Sequence, residues 1–298
     1  MGDPVPYPEL LARVLPEGVP DPLTVHEGQF HRVVMGADRV VCFARTGAAE
    51  ARLPARAAAL RALSGIELGF RVPRPLPVPV AGDGAGEGEG PPYLMLTRIP
   101  GAPLAADTLR SPGAFEAVAR QYATLLTGLR TAGADAGLRA VLRPAPEGEW
   151  REFAAGTRAS LFPLMSEAGR TRAGRELAAL DVLTPLTGAV VHGDLGGENV
   201  LWETAEEREG EAAGPPRLSG VVDWDEVCLG DPAVDLAAVG ASYGDDLLAR
   251  VRELGGWTDG ATTDRIAAIR GTFALQQALY GLRDGDDAEV ADGLTGYR

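Results

Sequence analysis

Residues 190–202 read VVHGDLGGENVLW, and this stretch is the most informative part of the sequence. An apolar strand ends at His192, a short loop containing two glycines follows, and a second apolar strand begins after Asn199. Asp194 and Asn199 therefore leave one short loop between two strands. The pattern predicts two polar side chains that are directed at the same place.

The spacing between Asp194 and Asn199 favours phosphoryl transfer. In an Asp-x-x-x-x-Asn loop of a phosphotransferase, the aspartate accepts the proton of the acceptor hydroxyl and the asparagine binds Mg²⁺. The alternative interpretation is a turn in which both side chains only form hydrogen bonds with the backbone.

A second signal is the stretch 219–226, SGVVDWDE, in which an apolar strand ends on three acids. Carboxylates that are this close repel one another unless a cation neutralises them, and carboxylate oxygens suit Mg²⁺. Asp223 stands where kinases place the metal-binding aspartate that follows the catalytic loop. The four tryptophans are expected to lie mostly in the core, and the alternative for Trp224, between Asp223 and Asp225, is to stack on a substrate cation.

A third signal is GDPAVDLA at residues 230–237. Asp231 suits the N-cap of a helix that has Pro232 at its first position. Asp235 follows within the first turn, and we expect a structural role for it.

Taken in order, these three motifs resemble the aminoglycoside phosphotransferase family, which is related to the protein kinases. The resemblance implies an α+β, bilobal, protein-kinase-like fold. Residues 1–100 would form a mainly β, five-stranded nucleotide-binding lobe, and residues 101–298 a mainly α catalytic and substrate-binding lobe. A nucleotide cleft would separate the two.

Within that family, the chain is most similar to members that inactivate cationic tuberactinomycin-type cyclic peptides, such as viomycin and capreomycin. This implies transfer of a phosphoryl group from ATP (or GTP), with Mg²⁺, to a serine-type hydroxyl. Asp194 would be the catalytic residue, and Asn199 and Asp223 the metal ligands. The residues expected to contact the cationic substrate are Glu198, Asp225, Glu226 and Asp231.

The nucleotide side departs from the family pattern. Family members usually carry a basic residue on the third strand and a glutamate on the following helix, but residues 40–45, VVCFAR, offer only Arg45, and the helix position reads Arg56. The chain contains no lysine. Either arginine, with Glu50 as a possible partner, or the metal together with backbone amides would hold the phosphates. The expected nucleotide-binding residues are Gly28, Gln29, Phe30, His31, Arg45, Thr97 and Ile99.

Charge separates the two halves. The chain has 42 acids and 28 bases, and residues 101–298 carry a net charge of −13 against −1 for residues 1–100. Such a balance argues against a nucleic-acid or anionic-membrane partner, and an acidic second half attracts a cationic ligand. General solubility is the plainer explanation.

Other features bound the class of protein. No apolar run is long enough to span a membrane, and Cys42 and Cys228 lie far apart, so we expect a reduced, cytoplasmic enzyme whose oligomeric state stays open. Helices are expected at 48–63, 115–129, 150–161, 172–180 and 266–282.

Two other functions fit the same motifs. The first is a kinase of another small hydroxylated acceptor, such as an aminoglycoside, a macrolide or a choline-like metabolite. The second is a nucleotide-binding pseudokinase, which the altered basic residues would favour and the intact Asp194, Asn199 and Asp223 oppose.

Overall fold

The structure is a computed structural model, which describes residues 7–15, 24–28, 31–77, 92–204 and 214–298. The predictions for Gln29 and Phe30 lie outside these residues. The first part of the chain contains α1 (Pro8–Val14), β1 (Thr24–Glu27), β2 (His31–Met35), β3 (Arg39–Ala44), α2 (Gly47–Leu63) and β4 (Tyr93–Thr97).

The strands of this part form one antiparallel sheet in the order β1-β2-β3-β4. Successive side chains of a strand point to opposite faces. Val41 and Phe43 accordingly pack with the apolar side of α1, whereas Cys42 and Leu94 join the core that includes α2. Strand β3 thus presents Cys42 to helix α2.

The described residues form four strands of this sheet, where five were expected. Beside β4 there is only an isolated bridge between Pro75 and Leu96, with Leu76 donating a hydrogen bond to the Met95 carbonyl at 2.8 Å. Alternate prolines in the segment, at 73, 75 and 77, lack the N–H that a strand ladder needs. The proline spacing therefore explains why this edge stays a single bridge.

The rest of the chain is mainly helical, which confirms the predicted α+β class with a mainly β first part and a mainly α second part. Its elements are β5 (Ala102–Pro103), α3 (Pro112–Ala132), α4 (Ala136–Val141), α5 (Glu149–Ser160), α6 (Glu167–Asp181), β6 (Ala189–Val191), β7 (Val200–Glu203), β8 (Arg217–Val221), β9 (Cys228–Gly230), α7 (Ala233–Tyr243), α8 (Asp245–Gly255), α9 (Gly260–Arg270), α10 (Phe273–Asp284) and α11 (Asp287–Gly293).

The prediction of a single helix over residues 266–282 is wrong. Helix α9 ends at Arg270, and α10 begins at Phe273. Between them, the Thr272 hydroxyl donates to the carbonyl of Ile269 at 2.8 Å, and the chain then starts a new helix. A local side-chain bond of this kind competes with the helix ladder, and it follows a glycine, Gly271.

Two pairs of short strands position the functional loops. β6 pairs with β9 and β7 pairs with β8, all antiparallel. The loop after β6 and the loop after β8 therefore emerge side by side, and the backbone N–H of Val222 donates to the carbonyl of Asn199 at 2.9 Å. Strand β7 is anchored from behind by Trp202, which is buried against Tyr122 of α3.

Candidate active site

His192 closes strand β6 and is fully buried. The backbone N–H of Asp194 donates to its Nδ1 at 3.2 Å, and its Nε2 lies 2.8 Å from the carbonyl oxygen of Val222. Since Nδ1 accepts, Nε2 carries the proton and donates to that carbonyl. The imidazole also packs edge-on against Trp224, with 4.6 Å between ring centroids. His192 thus joins the two loops from beneath.

The loop turns at Gly193, where φ is 89°. A Cβ at this position would lie 2.7 Å from the carbonyl oxygen of Glu226, so only glycine fits without rearrangement. The buried carboxylate of Asp235 accepts hydrogen bonds from the N–H groups of His192 (2.8 Å) and Gly193 (3.0 Å). The expected structural role of Asp235 is confirmed, and it consists of holding the turn that precedes Asp194.

Asp194 is exposed, whereas Asn199 is 8% exposed. The Asn199 Nδ2 donates to the backbone carbonyl of Asp194 at 2.8 Å and to its Oδ2 at 3.1 Å. The amide therefore holds the carboxylate in one orientation, and none of the hydrogen bonds among the described residues uses the Asn199 Oδ1. The structure brings this predicted pair together in the open part of the loop.

Asp223 follows β8 with a φ of 60°, a left-handed conformation that aspartate tolerates better than most residues. Its side chain is half exposed. Although half of the side chain is exposed, the surrounding protein removes part of the water around the carboxyl group, and this desolvation and the nearby Asp225 carboxylate raise the pKa of Asp223 to about 6, while the Arg56 guanidinium opposes the shift. Asp194 adds to the rise. We call Asp194, Asp223, Asp225 and Glu226 the acidic cluster.

The acidic cluster has the chemistry of a magnesium site that is completed by phosphate. In the described part of the chain, no group of three or more His, Cys, Asp or Glu side chains is arranged to hold a metal ion alone. Mg²⁺ in phosphotransferases typically takes one or two protein oxygens plus phosphate oxygens and water. The carboxylate of Asp223 and the unused Oδ1 of Asn199 fit that requirement.

Asp225, expected to contact substrate, has its contacts inside the protein. Its Oδ1 lies 2.6 Å from Arg56 Nε and its Oδ2 lies 3.1 Å from His31 Nδ1, and its side chain is 15% exposed. The expectation that the tryptophans lie mostly in the core is confirmed for Trp224, and the alternative that it stacks on a substrate cation is excluded. That ring is fully buried between His192 and Phe70 because the loop folds it under its own turn.

The other three expected substrate contacts differ among themselves. Glu226 is exposed, 3.7 Å from Arg52, and Glu198 is exposed with its carboxylate folded back over Gly196. Asp231 is buried: its Oδ1 accepts from the Ala233 N–H at 3.0 Å and its Oδ2 from Arg265 Nε at 2.6 Å. One of these contacts is with the start of helix α7, and the other is an ion pair inside the protein.

On the opposite side, Arg45 and His31 occupy different places. Arg45 Nη1 donates to the carbonyl of Gly28 at 2.6 Å, so this exposed guanidinium holds the turn between β1 and β2. His31 is 7% exposed and reaches Asp225. Of the predicted nucleotide-binding residues, His31 thus contacts the acidic cluster. Gly28 and Arg45 contact each other instead.

Thr97 and Ile99 lie where the first sheet leads into the second part of the chain. The N–H of Thr97 donates to the carbonyl of Arg74, and its hydroxyl accepts from the Arg74 N–H, both at 2.9 Å. The N–H of Arg98 donates to Asp38. Within the described ranges, the N–H of Ile99 has no hydrogen-bond partner. The N–H of Ile99, a residue that is itself buried, is therefore the first backbone donor of this connector that the described residues leave unpaired.

Two residues near the acidic cluster were missed. Burial raises the pKa of Glu149 at the start of α5 and of Tyr280 on α10, and the Glu226 carboxylate raises both further. Tyr280 is 52% exposed despite its large apolar ring. Both residues are distant in sequence from the motifs, and only the folding of α5 and α10 toward Glu226 reveals them.

No helix among the described residues is long and apolar enough to cross a membrane. The sequence matches the family described as "Phosphotransferase enzyme family" over residues 25–269. It is 64% identical over 290 residues to the viomycin phosphotransferase of Streptomyces vinaceus, covering 97% of each chain.

Solved structures share the fold. The GDP complex of aminoglycoside 2'-phosphotransferase-IIIa superposes with a TM-score of 0.76 at 18% identity, covering 97% of this chain and 95% of that one. The macrolide 2'-phosphotransferase apoenzyme of Brachybacterium faecium gives a TM-score of 0.68 at 20% identity, covering 98% and 97%. The expected kinase-like fold is confirmed.

Proposed function

The chain belongs to the phosphotransferase enzyme family, and from that premise we propose that it phosphorylates a hydroxyl of a cationic cyclic-peptide antibiotic, such as viomycin or capreomycin. The donor is ATP or GTP with Mg²⁺, and the acceptor is a serine-type hydroxyl. The observation that carries the substrate class is the likeness to viomycin phosphotransferase along nearly the whole chain. The rest of the proposal follows from how the acidic cluster is built.

Asp194 is the residue proposed to act on the acceptor. It is the exposed carboxylate of the loop, and Asn199 fixes its orientation through Oδ2. A carboxylate held in this way orients the attacking hydroxyl and accepts its proton as the phosphoryl group is transferred. Asp235 keeps the preceding turn rigid, which limits the positions that Asp194 can take.

Asn199 and Asp223 would hold the magnesium ion. When bound, Mg²⁺ supplies neutralising charge to the nucleotide phosphates. The oxygen chemistry of this pair and its place beside Asp194 support the assignment.

The acceptor is proposed to bind on the acidic side of the cluster. Residues 101–298 carry a net charge of −13, and Glu226 and Glu198 are exposed next to the catalytic loop. Tyr280 adds an exposed aromatic ring, and the Arg283 guanidinium, 5.7 Å from its centroid, already shows that this ring attracts cations. Asp225 and Asp231 remain in the proposal only as indirect contributors, through the charge that they add.

The division of labour follows from the same placement. We propose residues 1–100 as the nucleotide-binding lobe and residues 101–298 as the catalytic and substrate-binding lobe, with the adenine next to the unpaired N–H of Ile99. Cys42 and Cys228 are both unpaired thiols, in keeping with action in the reducing cytoplasm.

The test is a panel of acceptors incubated separately with the protein, Mg²⁺ and either ATP or GTP. Viomycin, capreomycin, kanamycin and choline are then analysed by mass spectrometry, with fragmentation to locate any added group. We expect one phosphoryl group on a hydroxyl of each cyclic peptide and none on kanamycin or choline.

Other outcomes separate the alternatives. Phosphorylation of kanamycin or choline alone would keep the reaction and replace the acceptor class. Nucleotide binding without modification of any acceptor would favour the pseudokinase.

A further inference from the structure

Arg56 is a buried cation at the acidic cluster. It lies on α2, its side chain is 9% exposed, and its Nη2 is 3.9 Å from Asp223 Oδ1. Its Nε is 2.6 Å from Asp225 Oδ1, an ion-pair contact, but neither Nε nor Nη1 has an aligned hydrogen-bond partner among the described residues, although both atoms are buried. A buried donor on a charged group is costly to leave unpaired. The guanidinium is therefore held beside Asp225 by charge and keeps hydrogen-bonding capacity that the described residues do not use.

The small side chain of Cys42 leaves room for Arg56 beside the acidic cluster. Cys42 faces α2 from β3, in register with Val33 on one neighbouring strand and Leu94 on the other. Burial raises the pKa of the thiol to about 11, although Arg56 beside it opposes the shift, so Cys42 is neutral near pH 7. The strand thus contributes a small uncharged side chain, which leaves room for the long side chain from the helix.

The anchor of Arg56 is itself held. One oxygen of Asp225 forms an ion pair with Arg56, and the other lies 3.1 Å from His31 Nδ1. The alternative cation, Arg45, is engaged elsewhere, because its Nη1 donates to the carbonyl of Gly28. Of the two arginines, Arg56 alone contacts the aspartate proposed to bind the metal.

We propose that Arg56 binds the nucleotide phosphates, so that helix α2 rather than strand β3 delivers the cation and Asp225 orients it. This inference rests on the proposed function, since it concerns the nucleotide of that same site. An arginine suits the task because its Nε can lie against one carboxylate while Nη2, the nitrogen on the side of Asp223, faces phosphate oxygens.

The first test compares two ligands in Arg56→Gln by calorimetry, without any acceptor. ADP with Mg²⁺ carries the phosphates, and adenosine lacks them. We expect ADP affinity to fall about 10- to 100-fold, the range for a hydrogen bond to a charged group, and adenosine affinity to stay within about twofold. Arg61→Gln, an exposed arginine on the same helix, is the matched control and should change neither.

The second test moves the charge. Arg56→Glu should bind ADP more weakly than Arg56→Gln, and adding Cys42→Lys to it should recover at least about tenfold of the lost affinity, because the cation then comes from the strand. Arg56→Lys keeps the positive charge and replaces either variant that does not fold. Its affinity for ADP should fall by only a few-fold.

Equal losses of ADP and adenosine affinity in Arg56→Gln would overturn the inference, since they indicate a purely structural role. Unchanged ADP affinity in Arg56→Gln, or a full loss in Arg56→Lys, would also overturn it. Because no acceptor is present, these results are independent of the acceptor panel. A wild-type protein that binds ADP but modifies no acceptor contradicts the proposed function alone.

Discussion

The catalytic loop and the α2 side hold the charges of the acidic cluster in opposite ways. In the loop, Asn199 binds Asp194 within one short stretch of sequence, and the backbone N–H groups of His192 and Gly193 donate to Asp235, which lies on a later helix, so hydrogen bonds to the backbone define the geometry. On the α2 side, Arg56 and His31 converge on Asp225 from distant parts of the chain. A loop that is held through backbone hydrogen bonds tolerates few residue types at its positions. In a network of side chains, by contrast, the same charge can be supplied by a residue on a different helix or strand.

The largest effect should come from the exposed end of the loop. Asp194→Asn keeps the size of the side chain and removes the carboxylate that accepts the proton, so we expect kcat to fall about 10²- to 10⁴-fold. ADP affinity should stay within about twofold, because the nucleotide is held by the other side of the cluster. Steady-state kinetics and calorimetry measure the two quantities. Near-normal turnover would remove Asp194 from the chemistry.

Gly193→Ala tests how strictly the backbone defines the loop. The positive φ and the close approach of the Glu226 carbonyl should lower the free energy of unfolding by about 2 kcal/mol or more, measured by denaturant titration. Gly196→Ala is the control: only the flexible end of Glu198 approaches its Cβ, so its cost should stay below about 1 kcal/mol. Equal losses of unfolding free energy in the two variants would contradict the requirement for glycine at residue 193.

Asp223→Asn probes the point where the two sides meet. Asparagine also tolerates the left-handed backbone, so the variant should fold while losing the charge that binds Mg²⁺. We expect the gain in ADP affinity on adding Mg²⁺ to shrink by about 10-fold. Titrations of ADP with Mg²⁺ and with EDTA measure that gain. A gain as large as in the wild type would exclude Asp223 as a ligand.

The smallest effect should come from the exposed acids. Glu226→Gln removes one solvent-exposed charge from the acceptor side, and such charges contribute about 0.2–1 kcal/mol. The KM for viomycin should rise about two- to fivefold, less at high salt, with kcat nearly unchanged. Glu167→Gln, at the start of α6, is the control. A KM that does not respond to either change would separate Glu226 from the acceptor.

The same contrast explains what the sequence could predict. The loop from His192 to Asn199 and the strand end at Asp223 could be located from the sequence because the residues of each are contiguous and their spacing reflects local geometry, while their roles stay predictions. Helix α2 was expected almost at its observed bounds for the same reason, since leucines recur at helical spacing.

What escaped prediction depends on distant partners. Asp225 and Asp223 are alike in the motif, yet only the folded chain brings Arg56 and His31 to Asp225. Glu149 and Tyr280 carry no local pattern at all. Helices α9 and α10 separate where the Thr272 hydroxyl donates to the Ile269 carbonyl. The spacing of apolar residues carries no information about such a bond.

The most direct measurement of the central claim is a competition in one tube. Wild-type protein, ATP and Mg²⁺ are incubated with viomycin and kanamycin at equal concentration, and both are followed by mass spectrometry, with Asp194→Asn as the parallel sample. The account predicts that viomycin alone gains one phosphoryl group, and only with the wild type. Phosphorylation of kanamycin in preference to viomycin, or equal phosphorylation by Asp194→Asn, would contradict it.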